Sequence, residues 1–266
     1  MKKLLIKIFL ALLVIIIIIC GVFYMNQEKL IFFPEKLDKS FQFDFDQKFE
    51  EVFIKTDDGV DLHGLLFSVE KSKGLIFYLH GNAGSLRSWG GVAKTYIDLN
   101  YDVFVLDYRG YGKSEGSING EKQIFSDVQA AFDNLKKRYD ENKIIILGYS
   151  IGSGPAAKIA SENNLKLLIL QAPYYNMSDL MRKFYPLIPT FVLKYKFRTD
   201  RYIKECKMPV VIFHGDLDEV IYYGSSLKLK KLFKSEDRLI ALNGQGHNGM
   251  TDNEDYLREI KKILER

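Results

Sequence analysis

The sequence predicts an α/β domain built on a mostly parallel, doubly wound sheet of about eight strands, preceded by one membrane-spanning helix. Three observations carry this expectation. From Gly74 onward, short apolar runs at 75–79, 103–106, 144–147, 167–170, 210–213 and 239–242 alternate with stretches of helical periodicity, the pattern of parallel strands joined by helices on both faces. The run at 144–147 stops at Gly148-Tyr149-Ser150-Ile151-Gly152, a strand-to-helix turn around a serine. At the amino terminus, Lys2, Lys3 and Lys7 precede an uncharged stretch over residues 8–25, just long enough to cross a hydrocarbon core.

The three leading lysines, set against Asn26, Gln27 and Glu28 after the apolar run, predict a cytoplasmic amino terminus and a domain on the opposite side of the membrane. Bulky Ile15 to Ile19 and the lack of an Ala-x-Ala site argue that the segment is retained rather than cleaved. Ile19 stands where a lipoprotein site needs a small residue, so Cys20 reads as a membrane-buried thiol. The expected division is an anchor over 1–25, a juxtamembrane segment over 26–49 and one catalytic domain over 50–266. Those lysines also account for most of the net charge of +4. The near-neutral remainder gives no reason to expect a nucleic-acid partner, and two cysteines build no disulfide framework.

After the anchor, Leu30-Ile31-Phe32-Phe33-Pro34 is too apolar for a solvated tether. It is expected to dock on the domain or the bilayer surface, or to serve as an edge strand; Phe41, Phe43 and Phe45 continue the theme. Residues 51–56 and 60–68 flank Asp57-Asp58-Gly59, which predicts an antiparallel hairpin. Helices are expected over 121–139, with Ile124, Val128, Ala131 and Leu135 on one stripe, and over 250–264.

A serine hydroxyl becomes a nucleophile only when a base removes its proton. Of the four histidines, His63 falls in the early hairpin, and His80 and His214 each end a buried strand before a glycine and are expected to brace loops. His247, in a polar Gly-rich loop after the last strand, can reach the serine. The imidazole needs a carboxylate on the loop after the 210–213 strand, where Asp218 is the expected partner and Asp216 the expected loop brace. The oxyanion of a tetrahedral intermediate would be met by the backbone N–H of Ile151 and one from the loop 80–84, with Asn82 preferred over Ala83. That Gly-rich loop lacks a Walker lysine and Gly-x-Gly-x-x-Gly spacing, which argues against phosphate binding.

Four signatures then fall in order: His80-Gly81-Asn82-Ala83-Gly84, Asp107-Tyr108-Arg109-Gly110-Tyr111-Gly112-Lys113-Ser114, the pentapeptide around Ser150, and His214-Gly215-Asp216-Leu217-Asp218, followed by Gly246-His247. With them the chain after the anchor resembles the α/β-hydrolase superfamily, closest in look to its small, lid-poor, membrane-anchored members related to serine aminopeptidases and protein depalmitoylases. The resemblance implies an acyl-enzyme mechanism on Ser150 with His247 and Asp218, no metal and no organic cofactor. It also implies a structural turn at 107–114 with Arg109 paired inside its own loop.

Residues 171–208 hold no strand signal and are dense in aromatic and aliphatic side chains, enough for a minimal helical lid. Tyr149, Tyr174, Tyr175 and Phe184 are the candidate pocket residues. The reading is a monomeric, membrane-anchored serine hydrolase of small-molecule or lipid esters or thioesters; a peptidase of the same fold and a non-catalytic binding protein are the alternatives.

Overall fold

A computed structural model describes residues 1–265. The chain opens with α1 (Lys2–Ile31), a 30-residue helix long and apolar enough to cross a membrane, with a mean hydropathy of 3.2 in its most apolar window. It does not end where the uncharged run ends. Gln27 is fully buried against the domain, so the helix is carried six residues beyond Met25 by contacts with the protein; the expected boundary between anchor and juxtamembrane segment falls inside one continuous helix.

After it, β1 (Phe33–Pro34) pairs in parallel with β5 (Ala83–Gly84), so the apolar pentapeptide docks on the domain as a short strand. Phe43 and Phe45 follow in irregular chain and pack against Phe49 and Phe67. The domain's core therefore begins before residue 50.

The hairpin forms as predicted from β2 (Phe49–Lys55) and β3 (Asp61–Phe67). Then come β4 (Leu75–Leu79), the short helices α2 (Leu86–Trp89) and α3 (Ala93–Ile97), β6 (Asp102–Asp107) and α4 (Glu121–Leu135). The second half runs β7 (Ile144–Tyr149), α5 (Ser153–Glu162), β8 (Leu167–Gln171), α6 (Met177–Phe184), α7 (Thr199–Glu205), β9 (Val210–Gly215), α8 (Gly224–Lys230), β10 (Arg238–Leu242) and α9 (Glu254–Leu264). The last predicted helix is broken in two because Asn253 caps α9, its side chain accepting from the Tyr256 N–H. Helix α4 stops at Leu135, four residues short of expectation.

Eight strands form one sheet in the order β10-β9-β8-β7-β4-β6-β3-β2. All neighbours from β10 to β6 are parallel, and β6, β3 and β2 are antiparallel. Period-two side-chain alternation splits the core between the faces. Leu75, Phe77 and Leu79 of β4 pack with Val128 of α4 and Ala156 of α5 on one side, while Ile76 and Tyr78 pack with Tyr96 of α3 and Tyr256 of α9 on the other. The chain goes from β4 to β6 on one flank and then crosses to β7 on the other, making a switch point where a crevice opens beyond the carboxyl ends of β4 and β7.

Candidate active site

Leu79 and Gly148 lie side by side in register at that switch point, so the loop after β4 and the turn after β7 meet over the crevice. Ser150 sits in the turn with φ +52°, a left-handed conformation costly for a residue with a β-carbon. The bend brings backbones so close that a β-carbon on Gly152 would stand 2.2 Å from the Leu79 carbonyl oxygen; only glycine fits there. The neighbouring loops deliver the partners. His247 Nε2 is 3.0 Å from Ser150 Oγ, and His247 Nδ1 is 2.7 Å from Asp218 Oδ2. Nδ1–H therefore donates to the carboxylate and leaves the Nε2 lone pair facing the serine hydroxyl, the tautomer a base requires.

Asp218 is itself held tightly. Its Oδ1 accepts from the backbone N–H groups of Val220 (2.9 Å) and Ile221 (2.8 Å), and His214 Nε2 lies 3.2 Å from Oδ2. Burial opposes ionisation, but the bonds from His214, His247 and Ile221 outweigh it and hold the carboxyl below its ordinary range. Asp216 accepts from the Gly244 N–H at 2.7 Å and braces the loop, as expected. The other histidines also brace. His214 Nε2 is 2.7 Å from the Ile221 carbonyl and Nδ1 2.6 Å from Ser226 Oγ. His80 Nδ1 is 2.7 Å from the Gly81 carbonyl, and His63 is buried with Nε2 2.9 Å from Glu51.

Asn82 and Ile151 face the same crevice as Ser150. Among the described residues, neither backbone N–H has an acceptor within the chain, so both are free to meet an oxyanion. Ala83, the second choice, is tied into the β1–β5 pair and exposed. Asn82 is fixed from the amino-terminal side: its carbonyl accepts from the Phe33 N–H (2.8 Å) and the Tyr111 hydroxyl (2.7 Å), and its side-chain amide donates to the Ile31 carbonyl (3.2 Å).

A cavity of about 420 Å³ has Ser150 in its wall. Tyr174 and Phe184 line it as predicted. Tyr149 and Tyr175 do not. The Tyr149 hydroxyl donates to the His247 carbonyl at 2.6 Å with its ring against the imidazole, because strand alternation turns it away from the crevice and under the histidine loop. Tyr175 packs into the core beside α8, with Lys228 over its ring. Arg109 also departs from expectation. It reaches out of its loop to Asp58 and Asp127, with Nε 2.6 Å from Asp127 and Nη2 2.6 Å from Asp58, since both carboxylates are needed to compensate a buried guanidinium.

Sequence reasoning missed Phe23, Leu30, Ile31, Val220 and Ile221 in the cavity wall. For α1 one signal was available: Gln27, a polar residue in register with that apolar stripe. Among the described residues, no group of three or more His, Cys, Asp and Glu side chains is placed to hold a metal ion.

The family model described as serine aminopeptidase, S33, matches residues 70–201. The alpha/beta hydrolase domain-containing protein 17C of Xenopus tropicalis is 32% identical over 199 residues, 73% of this chain and 62% of that protein. Alpha/beta hydrolase domain-containing protein aho-3 of Caenorhabditis elegans is 30% identical over 195 residues, 71% of this chain and 57% of that one. An esterase of Pyrococcus furiosus superposes with a TM-score of 0.71 at 20% identity, over 89% of this chain and 97% of that one. The chain belongs to the α/β-hydrolase superfamily. It spans about three fifths of the length of the curated relatives it matches. A second solved neighbour, the ferulic-acid-bound Est1E of Butyrivibrio proteoclasticus, has a TM-score of 0.64 at 22% identity, over 80% of this chain and 96% of that one. Here the crevice at the switch point, the turn around Ser150 and the loop after β4 share one edge of the sheet.

Proposed function

We propose that the chain is a serine hydrolase cleaving carboxylic esters or thioesters that carry an apolar acyl group, with Ser150, His247 and Asp218 as its triad. The observation that carries this is the 3.0 Å contact between His247 Nε2 and Ser150 Oγ at the mouth of an apolar cavity. Ser150 Oγ attacks the acyl carbon while its proton passes to His247 Nε2. The resulting oxyanion takes hydrogen bonds from the Asn82 and Ile151 N–H groups. Collapse expels the alkoxide or thiolate, which leaves with the proton returned by His247. Water, deprotonated by the same imidazole, then attacks the acyl-serine and releases the acid. Asp218, kept ionised by its donors, stabilises the imidazolium in both steps.

The wall of the cavity supports an acyl chain. Met177, Leu180, Met181 and Ile188 line it, and each buried methylene contributes up to about 0.8 kcal/mol. Among the described residues, no charged side chain lines it. An aminopeptidase needs an acidic group for the free amine, so the ester reading is favoured over the peptidase one. The apolar α1, fastened to the domain, supports a retained anchor with its lysines on the cytoplasmic side and the domain outside.

The test is kcat/KM for p-nitrophenyl esters from two to sixteen carbons, kept below micelle-forming concentration, alongside labelling by a fluorophosphonate. Rising efficiency beyond butyrate and Ser150-dependent labelling are expected. A monotonic fall after acetate would remove the acyl-chain assignment, and cleavage of aminoacyl amides alone would favour the peptidase.

A further inference from the structure

The amino-terminal helix is built as part of the site. Phe23, Leu30 and Ile31 line the cavity that holds Ser150. They stand at i, i+7 and i+8, one stripe of a helix. Gln27 shares the stripe and is fully buried. Its side-chain amide donates to the Val192 carbonyl at 2.8 Å and accepts from the Lys194 N–H at 2.9 Å. One residue on, Glu28 pairs with Lys194 (3.1 Å) and accepts from the Tyr195 hydroxyl (2.8 Å). A passive tether has no use for such bonds. They fix the helix's rotation, so that half-buried Phe23 and Ile31 face the cavity and Leu30, 55% exposed, stands at its rim.

The same contacts fix which end of the cavity meets the apolar stretch of α1. Cys20, Phe23 and Ile188 pack against the buried cluster of Met181, Val192 and Leu193, and Leu187 and Phe191 in the same segment are exposed at 95% and 80%. From Phe23 to Ile31 the helix rises about 12 Å, and residues at both ends of that stretch line the cavity that holds Ser150. Exposed Leu187 and Phe191 of the lid tip and the outward apolar side chains of α1 are surfaces of the kind a lipid bilayer covers.

We propose that the last turns of α1 are a wall of the acyl-chain site, with Phe23, Leu30 and Ile31 determining chain length, and that the chain of a bilayer-resident ester enters along this helix between α1 and the lid tip. This rests on the serine-hydrolase reading above. The headgroup or leaving group stays at the Ser150 end, and the hydrocarbon passes from bilayer to cavity without crossing water.

The test uses the full-length protein in phosphatidylcholine vesicles and reads the ratio of kcat/KM for p-nitrophenyl laurate to that for the butyrate ester. Leu30→Trp narrows the cavity at its rim and is expected to lower the ratio by about tenfold or more. Leu30→Ala enlarges it and shifts the preferred chain length upward. Leu10→Trp, on the exposed apolar stretch of the same helix, leaves the ratio unchanged. General misfolding lowers both rates together and cannot shift the preference in opposite directions for the two Leu30 variants. An unchanged ratio in both Leu30 variants, with wild-type Ser150 labelled by a fluorophosphonate, overturns this inference and leaves the hydrolase reading intact. An equal shift in Leu10→Trp also overturns it. Absence of Ser150-dependent labelling in the wild type removes the hydrolase reading, and this inference with it.

Discussion

The carboxyl edge of the sheet and the cover above it are built on opposite principles. At the edge every proposed functional group is held by directed polar contacts. Asp218 has two backbone donors and two imidazoles around it, His247 is fixed through its ring and through its carbonyl, and the Asn82 peptide is gripped from three sides. In the cover, residues 172–208 and the end of α1 meet the cavity almost entirely through aliphatic and aromatic side chains, several of them partly exposed. Hydrogen bonds fix positions to fractions of an ångström, whereas apolar contacts are non-directional and can repack. The edge is suited to fixed chemistry, and the cover to a choice of substrate.

The comparison breaks most sharply at Ser150. Ser150→Ala is expected to lower turnover by about a millionfold and to end fluorophosphonate labelling; labelling at the wild-type level would move the nucleophile elsewhere. Next comes Asp218→Asn, expected to cost roughly 10⁴ in kcat through the wrong imidazole tautomer. Asp216→Asn loosens only the Gly244 contact and should have a far smaller effect, so the reverse ranking would exchange their roles. In the cover, Gln27→Leu strands the Val192 carbonyl and the Lys194 N–H, costing about 1–3 kcal/mol. Faster amide exchange over 190–196, with little change along β7, is the expected signature; uniform exchange across the domain would show that cover and edge open as one unit.

At the edge, acid acts through Asp218. Because its native environment favours the ionised form, Asp218 contributes stability that is complete above the ordinary carboxylate range, near pH 4, and is lost as pH falls toward its lower native value. Asp218→Asn should therefore unfold with a flatter pH dependence below about pH 4 than the wild type. Identical slopes in urea titrations across that window would show that the carboxyl is not held as described. The smallest effect expected is a gain. Ser150→Gly relieves a left-handed β-carbon worth about 1 kcal/mol, which should raise Tm by roughly 2–4 °C while activity is lost.

The edge was legible in the sequence for the same reason that it is rigid. A strand-to-helix turn needs glycines at fixed offsets, and a base and its acid must lie on loops after particular strands, so Ser150, Asp218, His247 and the preference for Asn82 over Ala83 follow from local spacing. The strands were equally plain, because burial on both faces leaves continuous apolar runs such as 144–147. What local spacing does not encode is where a side chain goes once the chain is packed. Tyr149 was expected in the pocket but lies beneath the histidine loop, because the pleat of β7 decides where it points. Arg109 found its carboxylates at Asp58 and Asp127, far away in sequence. The end of α1 was hardest to read, since an apolar helix that leaves a bilayer and one that docks on a domain look alike in composition; only Gln27 distinguished them.

The reach of Arg109 has a consequence for how the domain comes apart. Its guanidinium joins the turn between β2 and β3 to the middle of α4, and Thr56 lies against the same group. Asp127 is buried with it, and Asp58 is held ionised by the same hydrogen bonds. An antiparallel hairpin at the end of a sheet is ordinarily the first element to fray. Here the turn cannot leave without giving up the two Asp58 contacts to Arg109, and α4 cannot lift off without stranding the buried Arg109 from Asp127. Hairpin and helix are thereby tied through one guanidinium, so Arg109→Met loosens both together, read as faster amide exchange in β2, β3 and α4 at once.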